Sequence, residues 1–165
     1  MRIRPYQNKD FAVISEWIKD ERSHALWCAN LIPYPLEKSS FDKLLQDIEE
    51  RCGASPFVAT TDDGKVVGFF CFFVNVDTNE GMFQFIMIDN TIRNKGYGSE
   101  MLRLGVKYAF EIANADAVSL NVFQENPGAK KCYEKVGFKE RRLNESAFRF
   151  QEESWGRYNM FMTRN

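Results

Sequence analysis

Hydrophobic and polar residues alternate along this chain with two different periods, which predicts a mixture of helices and strands. Apolar side chains recur every three or four residues within residues 11–18 and 41–48, the spacing of amphipathic helices. Between them, residues 22–38 contain two prolines, and we predict a loop there.

Short runs of β-branched and aromatic residues predict the strands. Residues 57–61 and 66–76 flank the turn Asp62-Asp63-Gly64-Lys65 and predict a hairpin. Further strands are predicted at residues 2–5, 82–88, 118–123, 138–143 and 157–163, with helices from Ser99 to about Ala113 and at 127–136. An aromatic loop, residues 144–156, is predicted between the last two strands. This order indicates an α/β fold with a mixed and mostly antiparallel sheet of about six to seven strands, flanked by helices.

Composition and charge narrow the function classes. The chain has 165 residues, 44% hydrophobic and 27% charged, which fits one domain over residues 1–165. The 22 basic and 23 acidic side chains leave a formal net charge of −1, so we expect no nucleic-acid partner. The four cysteines and the one histidine, His24, lack the spacing of a metal site, and we expect no metal.

The apolar segments predict no membrane span. The start of the chain lacks the apolar stretch of a secretory signal, and the longest apolar run, residues 66–76, has eleven residues. A spanning helix needs about 20 residues. We therefore expect a cytoplasmic protein with free thiols, present as a monomer or a homodimer.

A glycine-containing turn between a strand and a helix is the first motif with chemical meaning. Gly96 and Gly98 let backbone N–H groups approach an anion, and the N-terminus of the next helix adds partial positive charge. Arg93 and Lys95 contribute full charges. The motif predicts a pyrophosphate site, although two glycines also suit an ordinary tight turn. The spacing matches neither the dinucleotide nor the nucleoside-triphosphate fingerprint.

The second motif spans residues 126–138. Asn126 suits the N-cap of a helix, and Gly137 suits the position after its end. Tyr133 lies beside the apolar stripe of this helix, so local sequence alone is also consistent with a core tyrosine whose hydroxyl is satisfied.

Together, the two motifs resemble the GNAT superfamily of N-acetyltransferases. The family pattern Arg/Gln-x-x-Gly-x-Gly/Ala is met at residues 93–98. The later pattern Asn-x-x-Ala-x-x-x-Tyr-x-x-x-Gly-Phe is met at residues 126–138, about thirty residues further on. The start of the chain, residues 4–10, also resembles the family's first strand and helix, so the resemblance covers essentially the whole chain.

The resemblance implies a sheet that splays between the fourth and fifth strands, with acetyl-CoA in the gap as cosubstrate. Backbone amides near Ile86 and Ile88 are expected to pair with the pantetheine arm, and Asn126 and Tyr133 to lie close to it. The phosphate turn is expected to include the following residues: Arg93, Asn94, Lys95, Gly96, Tyr97, Gly98 and Ser99.

The reaction implied by the resemblance is acetyl transfer to an amine. Tyr133 is our candidate for the general acid that protonates the departing thiolate. Many family members have a glutamate early on the fourth strand, whereas this chain has Met82. Glu80, Asp89 and Glu125 are the remaining candidates for a base, and each also suits a solvated or capping role. Holding the amine and the thioester together contributes to the reaction rate whichever residue is the base.

The sequence says least about the acceptor, both the residues that bind it and its chemical identity. The aromatic residues of segments 22–38 and 144–156 would frame the acceptor, or else cover the core or a dimer interface. The acceptor itself could be a small-molecule amine or a peptide N-terminus. A catalytically silent domain that binds acyl-CoA as a sensor is the alternative function.

Overall fold

One seven-stranded sheet forms the centre of the molecule, which is described for residues 1–164 by a computed structural model. Its strands have the following bounds: β1 Arg2–Pro5, β2 Ser55–Thr60, β3 Val66–Asn75, β4 Glu80–Ile88, β5 Ala117–Phe123, β6 Lys139–Phe150 and β7 Glu153–Thr163. The strand order is β1-β2-β3-β4-β5-β7-β6, and every neighbouring pair is antiparallel except β4 with β5.

Helices cover both faces of this sheet. Their bounds are α1 Phe11–Ile14, α2 Glu21–Cys28, α3 Lys38–Cys52, α4 Tyr97–Glu111 and α5 Pro127–Val136, and short 3-10 turns at Asn8–Asp10 and Ser15–Trp17 flank α1. One apolar cluster joins a sheet face to α4 and α5 and includes Phe83, Leu102 and Tyr133. A second cluster joins the other face to α1, α2 and α3 and includes Phe41 and Phe69. The predicted mixed, mostly antiparallel α/β sheet is thus confirmed.

The splay between β4 and β5 is also present. Parallel pairing runs from Glu80 opposite Ala117 to Phe83 opposite Leu120 and then stops, although both strands continue. A β-bulge follows on β4, where Phe85 has a left-handed φ of 52° and the register with β3 shifts. The bulge bends β4 and leaves its later residues without a partner on the β5 side.

Two predicted loops are regular structure instead. Residues 21–28 form α2, capped by the Asp20 carboxylate, which accepts a 2.8 Å hydrogen bond from the Ser23 N–H. The loop prediction for 22–38 was wrong there because both prolines follow the end of this helix.

The predicted aromatic loop over residues 144–156 was also wrong. β6 and β7 continue through most of it as one long hairpin, which turns at Gln151, where φ is 52°. Phe148, Phe150 and Trp155 are strand residues that pack with Phe123 and with α2, which covers the same face of the sheet. Aromatic side chains that bury one face in this way are typical of strands.

Candidate active site

The gap between β4 and β5 opens into a cavity of about 760 Å³. Its lining begins at the turn before α4, follows the unpaired part of β4, and ends at α2 and at Arg157 on β7. The cavity therefore passes through the sheet, and elements on both faces of the sheet contribute to its lining.

The turn before α4 gives one end of the cavity the features of an anion-binding site. Gly96 is the N-cap of α4 with a φ of 86°, a left-handed conformation that suits glycine. The first N–H groups of α4 have no carbonyl partner within the helix, and the helix dipole places positive potential there. Gly98 leaves little room for a side chain, since a Cβ there would meet the Cys132 Sγ at 3.2 Å.

The turn residues singled out by the sequence lie together. Six of them line the cavity and Lys95, on the same turn, does not; the six are Arg93, Asn94, Gly96, Tyr97, Gly98 and Ser99. Ser99 is buried with its Oγ 3.3 Å from the Cys132 Sγ on α5, which holds the two helices together beside the turn.

The unpaired part of β4 offers backbone groups to the same cavity. The Asp89 N–H donates to the Val67 carbonyl on β3 at 2.9 Å. Because successive N–H groups of a strand point to opposite sides, the N–H of Ile88 faces away from β3, toward the gap. Ile86, next to the bulge, lines the cavity as well. Such an open edge is a template for an extended ligand.

The N-terminal half of α5 supplies two polar side chains. The Asn126 side chain caps α5 by accepting a 3.3 Å hydrogen bond from the Ala129 N–H, and this leaves its amide N–H₂ free to donate. Tyr133 lines the cavity while only 6% of its surface is exposed to solvent. Burial raises the pKa of Tyr133, so its hydroxyl stays protonated at neutral pH.

The three carboxylates considered as bases lie outside the cavity lining. Glu80 lines a neighbouring polar cleft and forms two 2.7 Å hydrogen bonds with Arg141, which lower the pKa of Glu80. Asp89 accepts hydrogen bonds from the Thr91 N–H and hydroxyl at 2.9 and 2.7 Å. Glu125 follows β5, and one of its oxygens is buried without a partner.

Helix α2 forms the far wall. Ser23, Leu26 and Trp27 line the cavity, and the Trp27 indole N–H donates to the Phe85 carbonyl at the bulge at 2.9 Å. His24 faces inward and is fully buried, with its Nδ1 3.3 Å from the Asn30 Oδ1. Trp155, by contrast, is buried in the cluster with Phe123 and lines neither cavity.

Three polar residues of the sheet line the cavity and were not anticipated from the sequence. Gln84, Asn121 and Arg157 lie on the sheet face opposite α4 and α5, at and beyond the point where β4 and β5 separate. The polar positions 157 and 159 alternate with apolar ones along the last strand, and this period could have identified the face.

A model of the acetyltransferase (GNAT) family matches residues 6–138. The chain belongs to this family. The resemblance inferred from the two motifs is therefore confirmed.

Known relatives agree with this assignment. An uncharacterized N-acetyltransferase of Methanocaldococcus jannaschii is 26% identical over 143 residues, which cover 87% of this chain and 81% of the relative. The crystal structure of spermidine N-acetyltransferase from Vibrio cholerae, in complex with CoA and spermine, superposes with a TM-score of 0.82. It is 21% identical, with 98% of this chain and 94% of that chain covered, and it supports the fold.

The helices and the potential metal-ligating side chains bear on membrane and metal binding. Within residues 1–164 no helix has the length and apolar character needed to cross a bilayer. The same residues contain no cluster of three or more His, Cys, Asp or Glu side chains arranged to hold a metal ion.

Proposed function

We propose that this protein transfers the acetyl group of acetyl-CoA to a primary amine by direct attack within a ternary complex. The observation that carries the proposal is the single cavity that passes between β4 and β5 and has an anion-binding turn at one end. The donor would enter from the side of α4 and α5, and the acceptor from the side of α2 and β7. The two substrates would then meet without a covalent enzyme intermediate.

The residues present fit the donor. The turn at residues 93–99 would bind the pyrophosphate through N–H groups and Arg93, and the tight space at Gly98 suits a close backbone approach. The N–H groups of Ile86 and Ile88 would pair with the pantetheine amides. Asn126 would donate to the same arm through its free amide group.

Tyr133 would protonate the departing thiolate. The amine nitrogen forms a bond to the thioester carbonyl carbon, the carbon–sulfur bond breaks, and the sulfur takes a proton. A free thiol has a pKa of about 8.5, so a donor near the sulfur assists its departure. Burial raises the pKa of Tyr133, so its hydroxyl is protonated at neutral pH and would give up the proton only as negative charge develops on the sulfur.

The amine must also lose a proton. Among the described residues no carboxylate lines the cavity, so water would carry the proton away. Glu80 lines the adjoining polar cleft, which shares Met82, Asn121 and Arg157 with the cavity. We propose that Glu80 orders the water at the end of this route and that the proton passes on to solvent, because the ion pair with Arg141 keeps Glu80 ionised. Asp89 is the weaker candidate, since its oxygens serve the turn at Thr91.

The lack of a carboxylate in the lining also favours a second candidate, a sensor that binds acyl-CoA without turnover. Calorimetry with acetyl-CoA and thiol release over a panel of amines separate the two functions. Binding with amine-dependent thiol release supports the transferase. Binding without release for any amine supports the sensor, and the absence of binding contradicts both.

A further inference from the structure

The acceptor end of the cavity carries one positive charge and no negative charge. Among residues 1–164 the lining contains four basic side chains, Arg93, Lys131, Lys135 and Arg157, and no Asp or Glu. Three of them belong to the phosphate turn and α5, on the donor side. Arg157 alone lies on β7, on the opposite face of the sheet.

The position of Arg157 follows from the strand register. It pairs with Phe123 on β5 and Asn144 on β6, and paired residues share a sheet face. Phe123 packs with Ala25 of α2, so this face is the one covered by α2. Arg157 lines both the cavity and the adjoining polar cleft and therefore lies where the two join.

Arg141, the neighbouring arginine on this face, forms hydrogen bonds with other side chains, whereas Arg157 does not. Arg141 donates twice to Glu80 and once, through Nε at 2.7 Å, to the Asn159 Oδ1. Asn159 in turn donates to the Asn121 Oδ1 at 3.0 Å. Arg157 is only half-exposed, yet within the described chain its guanidinium forms neither an ion pair nor a hydrogen bond.

Gln84 lies where β4 leaves β5. It is the first residue of β4 beyond the last pair with β5 and it lines the cavity, although its Oε1 is buried beneath the cavity surface. An amine that enters from this face of the sheet would therefore meet the gap between the strands beside Gln84. A guanidinium fits a carboxylate or a phosphate through two parallel hydrogen bonds.

We propose that the acceptor is a small amine that also carries an anionic oxygen group, with its amino group at Gln84 and its carboxylate or phosphate at Arg157. This inference rests on the proposed function and specifies its substrate class. It differs from the polyamine named for the Vibrio cholerae structure, because a polycation would meet Arg157 with no carboxylate in the lining to receive it.

The test compares amines that differ only in the anionic group. The probes are L-amino acids beside their amides, O-phosphoethanolamine beside ethanolamine, and spermidine, each assayed for thiol release from acetyl-CoA. We expect kcat/KM for the anionic member of the preferred pair to exceed that of its neutral partner by about 10- to 100-fold, the range of a charge-assisted contact. The pair with the larger ratio distinguishes carboxylate from phosphate.

Substitutions test whether this preference depends on Arg157 and whether Gln84 contributes to acceptor binding. Arg157→Gln should reduce the ratio of anionic to neutral efficiency to about one, and Arg157→Lys should restore part of it. Arg142→Gln, which removes an exposed arginine of the same cleft, is the matched control and should keep the ratio. Gln84→Leu should raise KM for both members of a pair alike. Equal efficiencies in the wild type, a preference for spermidine, or an unchanged ratio in Arg157→Gln would overturn the proposal.

Binding gives a readout that does not depend on turnover. Calorimetric titration of the same pairs into the protein–CoA complex should show tighter binding of the anionic member, lost in Arg157→Gln. If no amine supports thiol release but this pattern holds, the proposed transfer fails while the anion site stands. If none of the anionic amines binds, or if Arg157→Gln binds them equally, the anion site is excluded whatever the turnover.

Discussion

The two ends of the cavity are built in different ways. The proposed donor end comes mainly from one continuous segment, the turn at residues 93–99 and the start of α4, with α5 beside it. The proposed acceptor end comes from α2, β4, β5 and β7, which are far apart in sequence. A donor shared by a whole family can be bound by a local motif, whereas the acceptor depends on side chains that the sheet assembles.

This comparison predicts that changes at the donor end alter CoA affinity or the chemical step, whereas changes at the acceptor end alter the acceptor KM. Changes at Tyr133, Gly98 and Trp27 test this separation, and each is compared with a control variant. A fourth change, at His24, tests how pH affects the stability of the protein.

The largest effect is expected at Tyr133, where the two ends meet. Tyr133→Phe removes only the hydroxyl and should lower kcat by about 10²- to 10⁴-fold, the range of a general acid, with CoA affinity nearly unchanged. Steady-state kinetics and calorimetry measure the two quantities. Tyr108→Phe, on α4 beside Phe57 and outside both cavities, should leave kcat unchanged. Wild-type kcat in Tyr133→Phe, combined with a lower melting temperature, would identify Tyr133 as a packing residue.

A charge at the phosphate turn should have the next largest effect. Gly98→Glu places a carboxylate where the pyrophosphate is proposed to bind, and should weaken CoA binding by about 100-fold, since a like charge at close range costs about 3 kcal/mol. Gly98→Gln has the same size without the charge and should bind CoA better than Gly98→Glu. Gly98→Ala reports the cost of the 3.2 Å approach of a Cβ to Cys132 alone. Undiminished CoA affinity in folded Gly98→Glu would contradict the assignment of the turn.

Acid should lower the stability of the folded protein through His24, which lies on α2. Burial lowers the pKa of His24 from its ordinary value of 6.5. Above pH 6.5 the histidine is neutral in both states and its contribution to stability is complete. As pH falls from 6.5 toward the lowered folded pKa, the unfolded chain binds a proton that the folded protein does not. Stability then falls with a limiting slope of about 1.4 kcal/mol per pH unit.

Urea unfolding between pH 7.5 and 5.5 measures this slope. His24→Gln keeps a polar side chain that cannot titrate and should remove the slope, because no carboxylate forms a hydrogen bond with His24 in the described structure. If the free energy of unfolding falls with pH equally in the wild type and in the variant, the pKa of His24 does not differ between the folded and the unfolded chain.

The smallest effect is expected at Trp27. Trp27→Phe keeps an aromatic ring but removes the donor to the Phe85 carbonyl, a bond worth about 0.5–1.5 kcal/mol. We expect the acceptor KM to rise by about 2- to 12-fold with CoA affinity retained. Trp155→Phe, whose ring lies in the buried cluster, should lower the melting temperature and leave this KM unchanged. An equal loss of acceptor and CoA binding in Trp27→Phe would argue for a general packing role.

Much of the fold was predictable because its signals are local. Residues 127–136 were predicted as a helix and form α5, since Asn126 caps it, Pro127 suits its first turn and Gly137 ends it with a φ of 120°. The predictions for residues 22–38 and 144–156 failed where a segment depends on its neighbours. α2 and the long β6–β7 hairpin stabilise each other through the cluster of Ala25, Phe150 and Trp155.

The sequence by itself determined the family and the residues of the proposed donor end, because a glycine turn, a helix N-terminus and a helix cap are made by residues close along the chain. Tertiary structure alone decided which charges face the proposed acceptor end. Glu80 is 61 residues from Arg141 in sequence, yet the sheet joins them in an ion pair. Arg157 receives no such partner among the described residues. Whether a charge is neutralised or free depends on which side chains share its face of the sheet, and strand order and register fix that.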